Sequence, residues 1–202
     1  MNINVRDLDL SYNQCEGLNT LSKTSGENII SNLGTDITNL KAHWVGNDAT
    51  EHINNLIKVY NALVAVVTDA KSVTSDAGNA IIAIQEVRRS NGGSGPVGEP
   101  LSKEAPNSIS IPNNEATTEY RCEPAARSDY TQLVQICSDF MSFKNNFQTQ
   151  KDELLSNWTA GANRENAVKC FDDFMSNTET YNKYLTEARD NLEIAVNNLS
   201  QL

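Results

Sequence analysis

Apolar residues recur at steps of three and four along most of this chain. From Ile53 to Val87 they fall at Ile53, Leu56, Ile57, Tyr60, Leu63, Val64 and Val67, then Val73, Ala77, Ile81, Ile84 and Val87, with Ala70 bridging the one gap. That spacing predicts one long helix with a single apolar stripe. The same period runs back from Trp44 through Leu40, Ile37, Leu33 and Ile29 or Ile30. It continues more loosely through Leu21, Leu18, Cys15, Tyr12 and Leu8. Neither segment holds a proline, and Gly17, Gly26 and Gly34 weaken the earlier one locally. Periodicity returns with Leu133, Ile136 or Cys137, Phe140, Phe143, Phe147, Leu154 and Trp158. Beyond Gly161 it runs through Val168, Phe171, Tyr181, Leu185 and Leu192. Steps of three and four sustained this long predict close helix–helix seams.

Between these regions lies "SNGGSGPVGEPLSKEAPNSISIPNNE", Ser90 to Glu115, rich in Gly and Pro and without period. It reads as a linker, flexible at its Gly-rich start and stiffer around its prolines. Its "SISIP" is too short and too close to proline to count as a strand. Pro124 sets the next helix boundary near Ala125–Ser128, with Ser128 as the expected N-cap. The expected order is helix, tight break, helix, linker, helix, tight break, helix. The expected domains are a first hairpin over 1–90, a linker over 91–127 and a second hairpin over 128–202.

The two breaks share a design. "KAHWVGNDAT" occupies the first and "SNWTAGANRE" the second. Sliding the chain by 114 residues sets Trp44 on Trp158, Leu40 on Leu154 and Leu33 on Phe147, while Ile37 meets Lys151. The chain therefore reads as two helical hairpins in tandem. Gly46 and Gly161 supply the backbone freedom that a reversal needs, Asn47, Asp48 and Asn163 offer caps to the returning helix, and each Trp plugs the end of its stripe. Leu40, Ile53, Leu154 and Phe171 are the expected core or partner contacts beside the breaks.

Composition narrows the function. The 202 residues carry a net charge of −10, with the 16 basic residues scattered. That excludes phosphate neutralisation along nucleic acid and disfavours an anionic membrane surface. The N-terminal "MNINVRDLDL" has no basic stretch followed by an apolar one, so no cleavable leader is expected. "ALVAVV" and "AIIAI" are too short to span a bilayer. None of Cys15, Cys122, Cys137 and Cys170 forms a CxxC pair, so zinc is not expected. Hairpin geometry separates Cys137 and Cys170 by about 18 Å in height, too far for a disulfide; a Cys15–Cys122 bridge stays open. His43 and His52 read as solvated turn residues, and Asp152-Glu153 and Asp172-Asp173 as solvated faces, because adjacent helical residues do not face each other. No phosphate loop or nucleophile elbow is present. The chain is expected to be non-enzymatic, without cofactor or metal.

A W-x-G turn between two long helices resembles the WXG (ESAT-6-like) family of type VII secretion proteins. "HWVGNDATEHINNL" matches the motif at Trp44 and Gly46, and "NWTAGANRENAVKCF" is a looser copy at Trp158 and Gly161. The resemblance implies small acidic proteins without a cleavable leader, paired as four-helix bundles and exported by a membrane ATPase, or escorting larger toxins. Family chains hold one hairpin and this one holds two. An all-α four-helix bundle made within one chain, a pseudo-dimer rather than a homodimer, is therefore implied. With the hairpins antiparallel, the linker must travel about 60 Å along a helix of roughly forty residues; fully extended it reaches about 120 Å. Implied partners are the secretion ATPase, a cognate effector or a small helical protein. Implied localisation is synthesis in a bacterial cytoplasm and export to the surface or medium. The family's C-terminal Tyr-xxx-Asp/Glu tail is not matched, since Leu185 follows Tyr181 and Ala188 follows Tyr184 at the fourth position. Two other readings are the helical targeting domain of an LXG-type toxin effector and a secreted bundle acting on host membranes.

Overall fold

The computed structural model describes residues 5–159 and 161–199. Residues 1–4 and 200–202, at the two ends of the expected hairpins, and Ala160 of the second break lie outside the described residues. The chain is an all-α helical bundle. Helix α1 (Val5–Leu21) joins α2 (Glu27–His43) through a π-helical turn at Ser22–Gly26. After the first break come α3 (Asn47–Ser90) and, beyond the linker, α4 (Ala125–Asn157) and α5 (Ala162–Leu199). The apolar stripes account for the helices, and the π turn accounts for the loosened period of the first one. There Ser22 and Thr24 donate their hydroxyls to the carbonyls of Leu18 and Thr20. Such back-bonding slightly weakens the helical ladder.

Two compact units emerge, and both take segments of each hairpin. The first comprises residues 1–25, 66–106 and 143–178. Here α1 lies antiparallel to the second half of α3, with Asn19 donating to Thr74 at 3.0 Å and Gln85 to Asp9 at 3.0 Å. Opposite them, Phe147 packs between α4 and α5, with ring centroids 4.6 Å from Phe174 and 6.2 Å from Phe171. The hairpins meet where Asn157 donates to Gln14 at 3.1 Å. Burying each such Phe contributes about 1.5–3 kcal/mol.

The second unit comprises residues 26–65, 107–142 and 179–202. It packs α2 and the start of α3 with the start of α4 and the end of α5. Gly34 is a close-approach position: a Cβ there would stand 3.1 Å from the Tyr60 ring and 3.3 Å from Ile109. The edge of Tyr181 meets Phe140, with centroids 4.6 Å apart. Leu33, Ile37, Leu40, Ile53 and Leu63 are fully buried.

The linker, expected to be flexible at its Gly-rich start and stiffer around its prolines, follows a defined path. The chain after Ser90 is laid along its own hairpin as an extended strap. In the first unit, Gly98 donates to Gln85, Tyr12 donates to the Glu99 carbonyl at 2.7 Å, and Ser75 donates to the Leu101 carbonyl at 2.8 Å. In the second unit, Ile109 donates its amide to Tyr60 at 2.8 Å, and Asn54 both donates to and accepts from the backbone of Asn114. In both, the strap runs antiparallel to α3. Its backbone groups find single polar side chains, which suits an extended segment that cannot pair with itself. The strap ends in a strand that the period gave no reason to expect. β2 (Arg121–Cys122) pairs antiparallel with β1 (Trp44–Val45), setting Trp44 opposite Cys122. Helix α4 starts at Ala125, so Ser128 lies inside its first turn and is not the N-cap.

Candidate functional site

The first break is built where four segments of the second unit converge. Gly46 has φ 146°, a left-handed conformation that a side chain resists, and it reverses the chain between α2 and α3. Its carbonyl accepts from the Thr50 amide at 2.9 Å, closing the first turn of α3. Trp44 is fully buried and stacks on His52, with centroids 5.6 Å apart and planes 20° from parallel. The strap holds this turn from outside. Glu123 donates its amide to the His43 carbonyl at 2.8 Å, and the Arg121 guanidinium donates to the Ala42 carbonyl at 2.8 Å.

A half-open cavity of about 380 Å³ opens beside Trp44. Asp48, Glu51 and His52 line it from α3, Tyr120 from the strap, and Asn191 and Ile194 from α5. Asp48 and Glu51 stand three residues apart on one helix face. Among the described residues, neither has a hydrogen-bond or ion-pair partner. The Trp44 indole N–H also lacks an acceptor within the described residues.

His43 is not the solvated residue expected. Its Nδ1 lies 2.7 Å from Asp129 Oδ2 on α4, and the Asp129 side chain is nearly buried. Beside this pair sits Asp36 of α2, only 3% exposed, with neither carboxylate oxygen hydrogen-bonded among the described residues. Burial, and after it the charge of Asp129, pushes the Asp36 carboxyl up to about 8. His52 also differs from expectation, since it stacks on Trp44.

The second break, in the first unit, uses another device. Gly161 again has positive φ, 118°, and Trp158 is again buried, its indole N–H without an acceptor among the described residues. Among the described residues, no strand braces it. Instead Arg164 donates to the carbonyls of Trp158 and, at 3.1 Å, of Leu155, so one guanidinium satisfies the open end of α4. The break therefore holds both Trp158 and Gly161 but differs from the first in what covers it. Leu40, Ile53, Leu154 and Phe171 are all fully buried, as core contacts. Lys151, which aligns with Ile37, is also nearly buried. It donates to Asp172 at 3.2 Å, and Asp172 itself stays exposed, as expected of a solvated face.

All four cysteines are free: Cys15 and Cys137 are buried, Cys122 is half-buried and Cys170 is exposed. Burial pushes the Cys15 thiol up to about 12 and the Cys137 thiol to about 11. Tyr181 is buried, and Tyr184 is exposed. Among the described residues, no helix is long and apolar enough to cross a membrane.

The residues that sequence reasoning missed are Asp36, Asp129, Tyr120 and Glu51, whose partner on the same face, Asp48, was singled out only as a cap. Asp36 carried a signal, because it directly precedes Ile37 on the flank of the apolar stripe. Tyr120 carried none. No protein-family model, curated protein or solved structure matches the chain.

Proposed function

We propose that this chain is a non-enzymatic component of a type VII secretion pathway, exported itself or escorting an effector, and that it works by helix–helix association. One observation carries the reading. A W-x-G turn and a looser copy of it each join two long helices, and in both the Gly takes positive φ and the Trp is buried. The resemblance to WXG proteins rests on these positions, Trp44, Gly46, Trp158 and Gly161. The presence of both hairpins in each compact unit supports a protein that completes its own bundle, a monomer of 22.2 kDa in solution. Its partners are a secretion ATPase, a cognate effector or a small helical protein, and it is exported from the bacterial cytoplasm.

The test compares a type VII-competent bacterium with a strain lacking the secretion ATPase, both expressing the tagged chain. The expected result is ATPase-dependent appearance in the medium of the chain or of an effector that co-purifies with it. Retention in both strains with no co-purifying chain, or equal release from both, refutes the reading.

A further inference from the structure

The cavity beside Trp44 combines two features. Two carboxylates, Asp48 and Glu51, face it and have no partner among the described residues. The place of Asp48 in the first turn of α3 suits the helix dipole, but Glu51 lies beyond that turn, and the dipole does not account for what surrounds the pair. The second feature is aromatic. Trp44, fully buried, forms the floor with His52 stacked on it, while Tyr120, 58% exposed, stands at the rim. The last turns of α5 close the cavity and bring the negative end of that helix's dipole toward it. Among the described residues, the lining contains no Lys or Arg.

We infer that this cavity receives an arginine side chain of a partner polypeptide. A guanidinium is flat, keeps its charge at any physiological pH, stacks on an exposed aromatic ring and bonds carboxylates through paired donors. Tyr120 supplies the ring, and Asp48 and Glu51 the acceptors. The rim fits a polypeptide as well, since Ile194 is 60% exposed beside Tyr120 and is covered only when a chain passes over it. The volume of about 380 Å³ exceeds one guanidinium and leaves room for the flanking backbone.

This inference rests on reading the chain as one that works by association with a partner polypeptide, and the two fail separately. An exported protein that ignores arginine refutes only the inference; one that binds arginine but plays no part in export refutes only the function. The experiment uses the full chain labelled with 5-fluorotryptophan and observed by fluorine NMR. The Trp44 resonance reports the cavity, and the Trp158 resonance, from the other unit, is the internal control. The probe is the capped tripeptide Gly-Arg-Gly, compared with its citrulline counterpart and with free methylguanidinium. The expected result is a saturable shift of Trp44 alone, strongest with the arginine peptide and weakened by salt. The double substitution Asp48→Asn, Glu51→Gln should weaken it by roughly tenfold or more while leaving the far-ultraviolet dichroism unchanged. An absent shift, equal binding of the citrulline peptide, equal binding of methylguanidinium or indifference to the double substitution each overturns the inference.

Discussion

Replacing Asp36 with asparagine isolates the cost of a carboxyl buried without a donor. In the unfolded chain Asp36 ionises near 3.8, and in the folded protein near 8. The group therefore prefers to fold protonated. Below the lower value both states are neutral and no penalty exists. As pH rises through the window, the unfolded chain ionises and the folded one does not. Stability then falls by about 1.4 kcal/mol per pH unit. By pH 7 the loss is on the order of 4 kcal/mol, and it levels off only above the folded value. The amide that replaces the carboxyl is neutral at every pH, faces the same Asp129–His43 pair and fills nearly the same volume. Asp36→Asn should thus match the wild type near pH 4 and exceed it by on the order of 4 kcal/mol at pH 7. That is a rise in melting temperature of about 8–16 °C for a chain of this size. Thermal and urea unfolding followed by circular dichroism from pH 4 to 8 measures the difference between the two proteins, which removes the other titrating groups. A difference that does not grow with pH, or an asparagine variant less stable at pH 7, refutes the account of the site.

Gly46→Ala places a Cβ at φ 146° and 3.1 Å from the Tyr120 ring; it should cost about 1–3 kcal/mol by urea unfolding, whereas Gly92→Ala, with nothing within 4 Å, should cost less. Asn54→Ala removes both hydrogen bonds to Asn114, so it should lower stability by about 1–2 kcal/mol and speed proteolysis near Asn114, and unchanged cleavage kinetics would contradict the strap. Titration with a thiol reagent should modify Cys170 first and Cys122 more slowly, with Cys15 and Cys137 reacting only on unfolding, because burial raises their thiols to about 12 and 11; fast reaction of either buried thiol in the native protein would contradict the packing.

The helices were legible because their information is local. A stripe at steps of three and four is written within each segment, so α3 was bounded at Ile53–Val87 against an observed Asn47–Ser90. Both breaks were placed correctly, since Trp and Gly together end a stripe and permit a reversal. The strap was illegible for a physical reason. An extended segment held by one side chain at a time has no period, and its proline and glycine content reads as freedom. The His43–Asp129 pair is separated by 86 residues, and no spacing rule reaches that far. The alignment of Ile37 with Lys151 was a mismatch in the repeat, yet both are buried, the lysine through its contact with Asp172. The cavity beside Trp44 draws on α3, the strap and α5, so only the folded chain assembles it.

The strap has a consequence for the order of synthesis. Each of its partners, from Tyr12 and Gln85 to Asn54 and Trp44, precedes it in the chain. When Glu123 has left the ribosome, every group needed to lay the strap and brace the first turn has already been made, while α4 and α5 are still to come. At about 5–20 residues per second, translation leaves several seconds for those contacts to form. The second hairpin is then delivered to a first hairpin whose turn is already closed and one of whose sides is already covered, which leaves it fewer wrong places to dock.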